Sequence, residues 1–331
     1  LTPDRARVLS VWAMFGIAFM VMATLVLLFP QDTLVERVRS ETGNDSLTVD
    51  YSGGNPIPAG GLFFNGDGQT TGDSLTVSGG NFINIVKTFD NATNGTVNLD
   101  GGLITYTGLE PVLLNVGSVS NIIFNLPGGA TDDNAILEDD TPTLVADTSR
   151  LRSQAGTATF ETTTFTNPSN SLTVNMGASN GTFTIAALDS GFAAKSPDVM
   201  IHGEAGDDRL NLNARTGTGL YTFDGGADTD TLVGPNAAQT WNVTGADAGH
   251  INGTNVVVFD AVENLTGGTS SDTFVIATGG SVSGTITGNG GSDTLRQTDG
   301  TNLWNITAAD AGNVTDVFAF TDIDNLTGGS G

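Results

Sequence analysis

The sequence predicts an all-β chain: a parallel β-solenoid, or β-helix, with rungs of about 21–22 residues, preceded by a single N-terminal transmembrane α-helix. Three observations carry that expectation. A Gly-rich corner bearing an aspartate recurs at Gly203–Leu210, Gly225–Leu232, Gly267–Phe274 and Gly288–Leu295. Its aspartates, Asp208, Asp230, Asp272 and Asp293, follow one another at 22, 42 and 21 residues, as if the chain revisited one corner and once skipped a turn. The composition, with 45 Gly and abundant Thr, Asn and Asp, supplies residues that tolerate φ > 0 at corners and suit pleated faces between them. Finally, Val8 to Phe29 is a run of 22 residues without a charge.

That run is the first element. At about 1.5 Å per residue it reaches roughly 33 Å, enough to cross a hydrocarbon core of about 30 Å. A cleaved signal peptide would be shorter and would end in small residues, which Phe29-Pro30-Gln31-Asp32 does not provide. Residues 1–30 are therefore expected to be a membrane anchor. Pro30 ends it, and Thr33 with Glu36 forms a capping-box pattern for a short interfacial helix and linker over 31–42.

Composition changes at about residue 43. Residues 1–42 are electrically balanced, with Arg5, Arg7, Arg37 and Arg39 against Asp4, Asp32, Glu36 and Glu41, so the formal charge of −25 rests on the remainder. Such a surface repels nucleic acid and attracts cations, and nucleic-acid binding is excluded. The charge also favours a cytoplasmic N-terminus with a periplasmic or extracellular solenoid. The absence of Cys excludes a disulfide framework and thiolate metal sites.

A first solenoid segment is expected over 43–126, where Ser46-Leu47-Thr48-Val49 is echoed by Ser74-Leu75-Thr76-Val77 and then by the stretch around Val97. Residues 127–200 read as irregular and loop-rich, with Asp132, Asp133, Glu138, Asp139 and Asp140 on a solvated loop and Arg150 and Arg152 as a rare basic spot. Regular repeats resume over 201–331. There Trp241-Asn-Val-Thr returns as Trp304-Asn-Ile-Thr, 63 residues on, which reads as three rungs with Trp as a core residue. The chain stops inside the next corner, so a longer repetitive protein is expected.

The Gly-Gly-x-Gly-x-Asp-x-apolar corners resemble the nonapeptides of the RTX, or haemolysin-type, calcium-binding proteins. The phrases at 55–64 and 262–274 are similar to those of giant repeat-built surface proteins of the planctomycete type. The resemblance implies calcium at Asp208, Asp230, Asp272 and Asp293. It departs from that family in having one motif per rung, and in Asp228 and Ser270 standing where Gly206 and Gly291 keep the fourth-position glycine. In-register aspartates would lie about 4.8 Å apart, with a cation about 2.4 Å from each. The competing use of such an aspartate is to cap backbone N–H groups.

Catalytic residues are not expected. His202 and His250 are far apart and lack a nucleophile nearby, and in Asp207-Asp208-Arg209, with Arg215 beyond, neighbouring side chains face opposite ways. The expected function is a membrane-anchored structural or adhesive surface rod that is not an enzyme. Its partners would be the membrane through residues 8–29, with other surface or membrane proteins and glycans as further candidates. Two alternatives stand beside it: an accessory subunit of a larger membrane complex docking by its helix, and a β-helix enzyme acting on polysaccharides.

Overall fold

The computed structural model describes residues 7–15, 19–27, 36–39, 43–66, 72–129, 133–140, 147–154, 156, 158–252, 256–298 and 301–329. These residues are nearly all β, with one short helix, Ser190–Lys195. They form two compact units: Leu1–Pro127 with Glu138–Leu172 and Leu188–Lys195, and Gly128–Leu137 with Thr173–Ala187 and Ser196–Gly331.

In the first unit the echoed segments pair as the sequence suggests. Asp45–Asp50 lies parallel to Ser74–Ser78 with Leu47 opposite Leu75 and Val49 opposite Val77. Val112–Asn115 continues the ladder, Val112 opposite Leu75. Burial alternates along Ser74–Ser78, so Leu75 and Val77 enter the core while serine and threonine face outward. On the opposite sheet, Asn81–Phe89, Gly95–Leu99 and Gly102–Thr107 run antiparallel in succession. The stretch around Val97 is thus a hairpin arm and not the next rung. Its physical reason is turn chemistry: Asp100 and Gly101 take φ of 50° and 95°, which reverses the chain tightly.

The transmembrane helix expected over 8–29 is replaced by strands Arg7–Phe15 and Phe19–Leu27, paired antiparallel. The first also pairs antiparallel with Asp45–Asp50. The run is rich in valine and aromatic residues, which suit a pleated strand as well as a spanning helix, and an open sheet edge supplies hydrogen-bond partners. No helix among the described residues is long and apolar enough to cross a membrane. Of the interfacial helix expected over 31–42, residues 31–35 and 40–42 lie outside the described residues. Glu36–Arg39 is instead a strand parallel to Leu62–Asn65.

The acidic stretch expected as a solvated loop is also ordered. Asp133–Asp139 is a strand, and Glu138 pairs with Arg150 at 2.5 Å and with Arg152 at 2.6 Å. The rare basic spot therefore has its acid on the same unit.

The second unit winds regularly, one strand on each of two sheets per turn. On one sheet Leu210, Leu232 and Leu265 stack in register; on the other Phe274, Leu295 and Leu326 do so. Between Tyr221–Asp224 and Thr273–Ile276 an antiparallel arm intervenes, formed by Thr240–Gly245, Ala248–Ile251 and Val257–Asp260. The Trp304 copy forms the same arm from Trp304–Ala308, Ala311–Val314 and Val317–Thr321, but on the other sheet. The 63-residue unit consequently spans an odd number of sheet crossings and is not three whole rungs.

Candidate functional site: two carboxylate ladders

The corner aspartates are placed by the strands that follow them. Each stands one residue before a short strand whose next inward residue is Leu or Phe, so the aspartate shares the inward face of the pleat. Asp208, Asp230, Asp272 and Asp293 are all buried.

They form two ladders, one per sheet. On the first, Gly181 N–H donates to Asp208 Oδ1, Asp208 N–H to Asp230 Oδ1, and Asp230 N–H to Glu263 Oε2, each at 2.7 Å. On the second, Gln239 N–H donates to Asp272 Oδ1 and Asp272 N–H to Asp293 Oδ1, both at 2.7 Å, and Asp293 N–H to Asp324 Oδ2 at 2.8 Å. The carbonyls complete the cycle: Asp208 O accepts from Thr231 N–H, and Asp272 O from Thr294 N–H. Every corner thus ties its main chain to the next turn in both directions. Asp45 N–H donating to Asp73 Oδ1 at 2.6 Å repeats the device in the first unit.

Two members, Glu263 and Asp324, are not preceded by a Gly-rich corner. The 42-residue step from Asp230 to Asp272 is therefore no skipped turn: these residues lie on different sheets, and Glu263 is the next rung after Asp230. The readable signal was an acid followed at the second position by Leu or Phe before the strand, as in Glu263-Asn-Leu and Asp324-Asn-Leu.

The glycines have a steric role. A Cβ built on Gly203, Gly225, Gly267 or Gly288 would stand 2.7, 2.6, 2.5 or 2.6 Å from Oδ2 of the aspartate five residues later. Only glycine lets that oxygen pack against the backbone. Asp272 Oδ2 still receives the Gly268 N–H at 2.8 Å, whereas Asp208 Oδ2 and Asp230 Oδ2 accept no hydrogen bond.

Burial pushes the Asp208 carboxyl up to about 8; the Gly181 N–H opposes this, and the charges of Asp230, Asp207 and Glu204 add to it. Burial likewise raises Asp230 to about 6 and moves Asp272 and Asp293 upward. For calcium the donor set fits poorly. Each Oδ1 is committed to an N–H and each Oδ2 faces a glycine backbone. Among the described residues no group of three or more His, Cys, Asp or Glu is arranged to hold a metal.

The remaining candidates do not converge. Arg209 is exposed and bonds Asn211, Asp208 points inward, and Arg215 caps Gly217 and Gly219 carbonyls beside Tyr221. His202 and His250 sit half-buried on strands. Trp241 is fully buried and stacked on Phe274 at 5.3 Å, as the core reading expects, while Trp304 is half-buried. Sequence reasoning missed a buried trio in the first unit, Lys87, Tyr106 and Glu161. Its visible signal was a lysine in the inward register of Ile85, Lys87 and Phe89.

Compared with known proteins, the chain matches no family model, no curated protein and no solved structure.

Proposed function

We propose that the chain is a structural or adhesive element of a bacterial cell surface, held at a membrane by the uncharged run 8–29, with the strands Arg7–Phe15 and Phe19–Leu27, and not a helix, as the part that meets the lipid. One observation carries the reading: the perturbed acids are spent on joining turn to turn. The two ladders consume their carboxylates on backbone N–H groups inside the wall, where no substrate reaches them. Two shallow concavities in the described residues, one beside Asp316 and Phe318 and one beside Arg37 and Phe63, each bring a single charged side chain and no acid–base pair. Outward faces meanwhile present Thr and Asn rows, a surface suited to adhesion and to packing beside like surfaces.

Membranes from cells expressing the full chain test the anchor and the partner question together. The expected result is a protein that resists an alkaline wash, comes out in detergent and then sizes as this chain alone. Release by the alkaline wash removes the anchor. Co-migration with defined partners replaces the rod by the accessory subunit.

A further inference from the structure

We propose that Lys87 and Glu161 are joined by an intramolecular amide bond, formed spontaneously in the folded first unit. Their side chains are wholly buried, with Lys87 Nζ 2.6 Å from Glu161 Oε1. They lie 74 residues apart in sequence, so the bond would lock the strand Asn81–Phe89 to the segment entering Thr163–Thr166. Nζ also sits over the rings of Phe89 at 3.7 Å and Tyr106 at 4.8 Å, and Phe89 packs on Phe160 at 4.8 Å. The pocket is therefore dry and aromatic. Water, the product of condensation, is not available there to reverse it, and two reacting groups held in contact react as a unimolecular pair.

Charge supports the same chemistry. Burial lowers the Lys87 ammonium to about 8, against the attraction of Glu161, and raises the Glu161 carboxyl to about 7, against that of Lys87. Passing a proton from one to the other then costs little, and the neutral amine and acid become accessible. A buried ion pair gains little over neutral alternatives in any case, because both charges lose their hydration.

The step balances without a co-reactant. After Lys87 has given one proton to Glu161 Oε2, the Nζ lone pair adds to Glu161 Cδ. Negative charge develops on Oε1, where the Tyr106 hydroxyl donates a hydrogen bond. Nitrogen then passes a second proton to Oε2. The C–Oε2 bond breaks, one C–N bond has formed, and one water leaves. Oε2 accepts no hydrogen bond, so nothing holds it back.

Intact-mass measurement of the purified full chain is the test. The expected mass is short of the sequence mass by one water, and digestion should yield a branched peptide joining Lys87 to Glu161. Hydroxylamine should leave it intact, since it opens succinimides at Asp-Gly pairs such as Asp224-Gly225 and not amides. Lys87→Met should restore the unmodified mass. Glu161→Gln should give the same final amide by losing ammonia instead of water. Tyr106→Phe should slow formation about a hundredfold after refolding, the usual effect of removing one donor from a developing oxyanion. A folded wild-type chain of full sequence mass, or a dehydration mapped to an Asp-Gly pair, overturns the proposal, and neither result depends on any variant folding.

Discussion

At the scale of single residues, the corner aspartate does one job with two oxygens: Oδ1 holds the next turn and Oδ2 fills the space above a glycine. Both features have measurable consequences. A Cβ on Gly225 would meet Asp230 Oδ2 at 2.6 Å and the Ala261 carbonyl oxygen at 2.1 Å, whereas one on Gly328 would meet nothing within 4 Å. Gly225→Ala should therefore cost about 1–3 kcal/mol in chemical unfolding, the range for overpacking, and Gly328→Ala nearly nothing; equal effects would refute the steric role. The raised carboxyls make a second prediction. Their folded-state values lie above the unfolded value of about 3.9, so the folded chain favours the protonated forms. That contribution is complete below about pH 4 and is lost as pH rises through about 6 for Asp230 and about 8 for Asp208. Thermal stability should fall from about pH 4 to about pH 8. Asp208→Asn keeps the acceptor for Gly181 N–H, removes the charge, and should flatten the upper part of that slope. A midpoint independent of pH across this interval would sink the idea.

At the scale of elements, the antiparallel arm explains why sequence period and structural period differ. An arm adds about one turn's length of chain to one sheet without advancing the other, so the copy beginning at Trp304 falls on the sheet opposite the copy beginning at Trp241. The two tryptophans consequently meet different surroundings. Trp241 lies between its arm and Thr273–Ile276, stacked on Phe274, while the strand of Trp304 pairs, among the described residues, with Ala311–Val314 alone. Trp241→Ala should cost about 3–5 kcal/mol and Trp304→Ala about 1 kcal/mol or less, read from urea midpoints of the two variants. Similar costs would show that the copies are equivalent. The same arms mark what was legible beforehand. Winding, alternation and the corner acids followed from local chemistry that repeats: an acid, a small residue, an inward Leu. The arms did not, because Asn94-Gly95 and Asp100-Gly101 read equally as corners of a rung until a partner strand selects antiparallel pairing. Residues 8–29 failed for a related reason, since an uncharged Val-rich run satisfies a strand and a spanning helix alike. The Lys87–Tyr106–Glu161 trio was hidden because its members are brought together by tertiary packing and no local pattern links them.

At the scale of the whole molecule, an excess of 25 negative charges opposes compaction, and every added cation relieves it. This complicates any claim of calcium dependence, because screening and site binding both raise stability. They differ in selectivity. Screening depends on valence and ionic strength, with a Debye length of about 8 Å at physiological salt, and treats calcium and magnesium alike. A true calcium site rewards a flexible set of six to eight oxygens at about 2.3–2.6 Å that magnesium does not accept. With free calcium at a hundred times its dissociation constant it would add about 2.7 kcal/mol. In this chain Oδ1 of each corner aspartate is bonded to an amide across the step between turns, and Oδ2 is packed against a glycine backbone. Exchanging those bonds for a cation would release the N–H groups of Gly181, Asp208, Gln239 and Asp272 inside the wall. Each released N–H would carry a desolvation cost of about 1–3 kcal/mol. Millimolar calcium and magnesium at equal ionic strength should therefore raise the unfolding midpoint by the same amount, and a chelator added to salt-containing buffer should leave it unchanged. A rise specific to calcium and reversed by chelator would show that the ladders open to bind it, and would return the corner aspartates to the role that their resemblance to calcium-binding repeats implies.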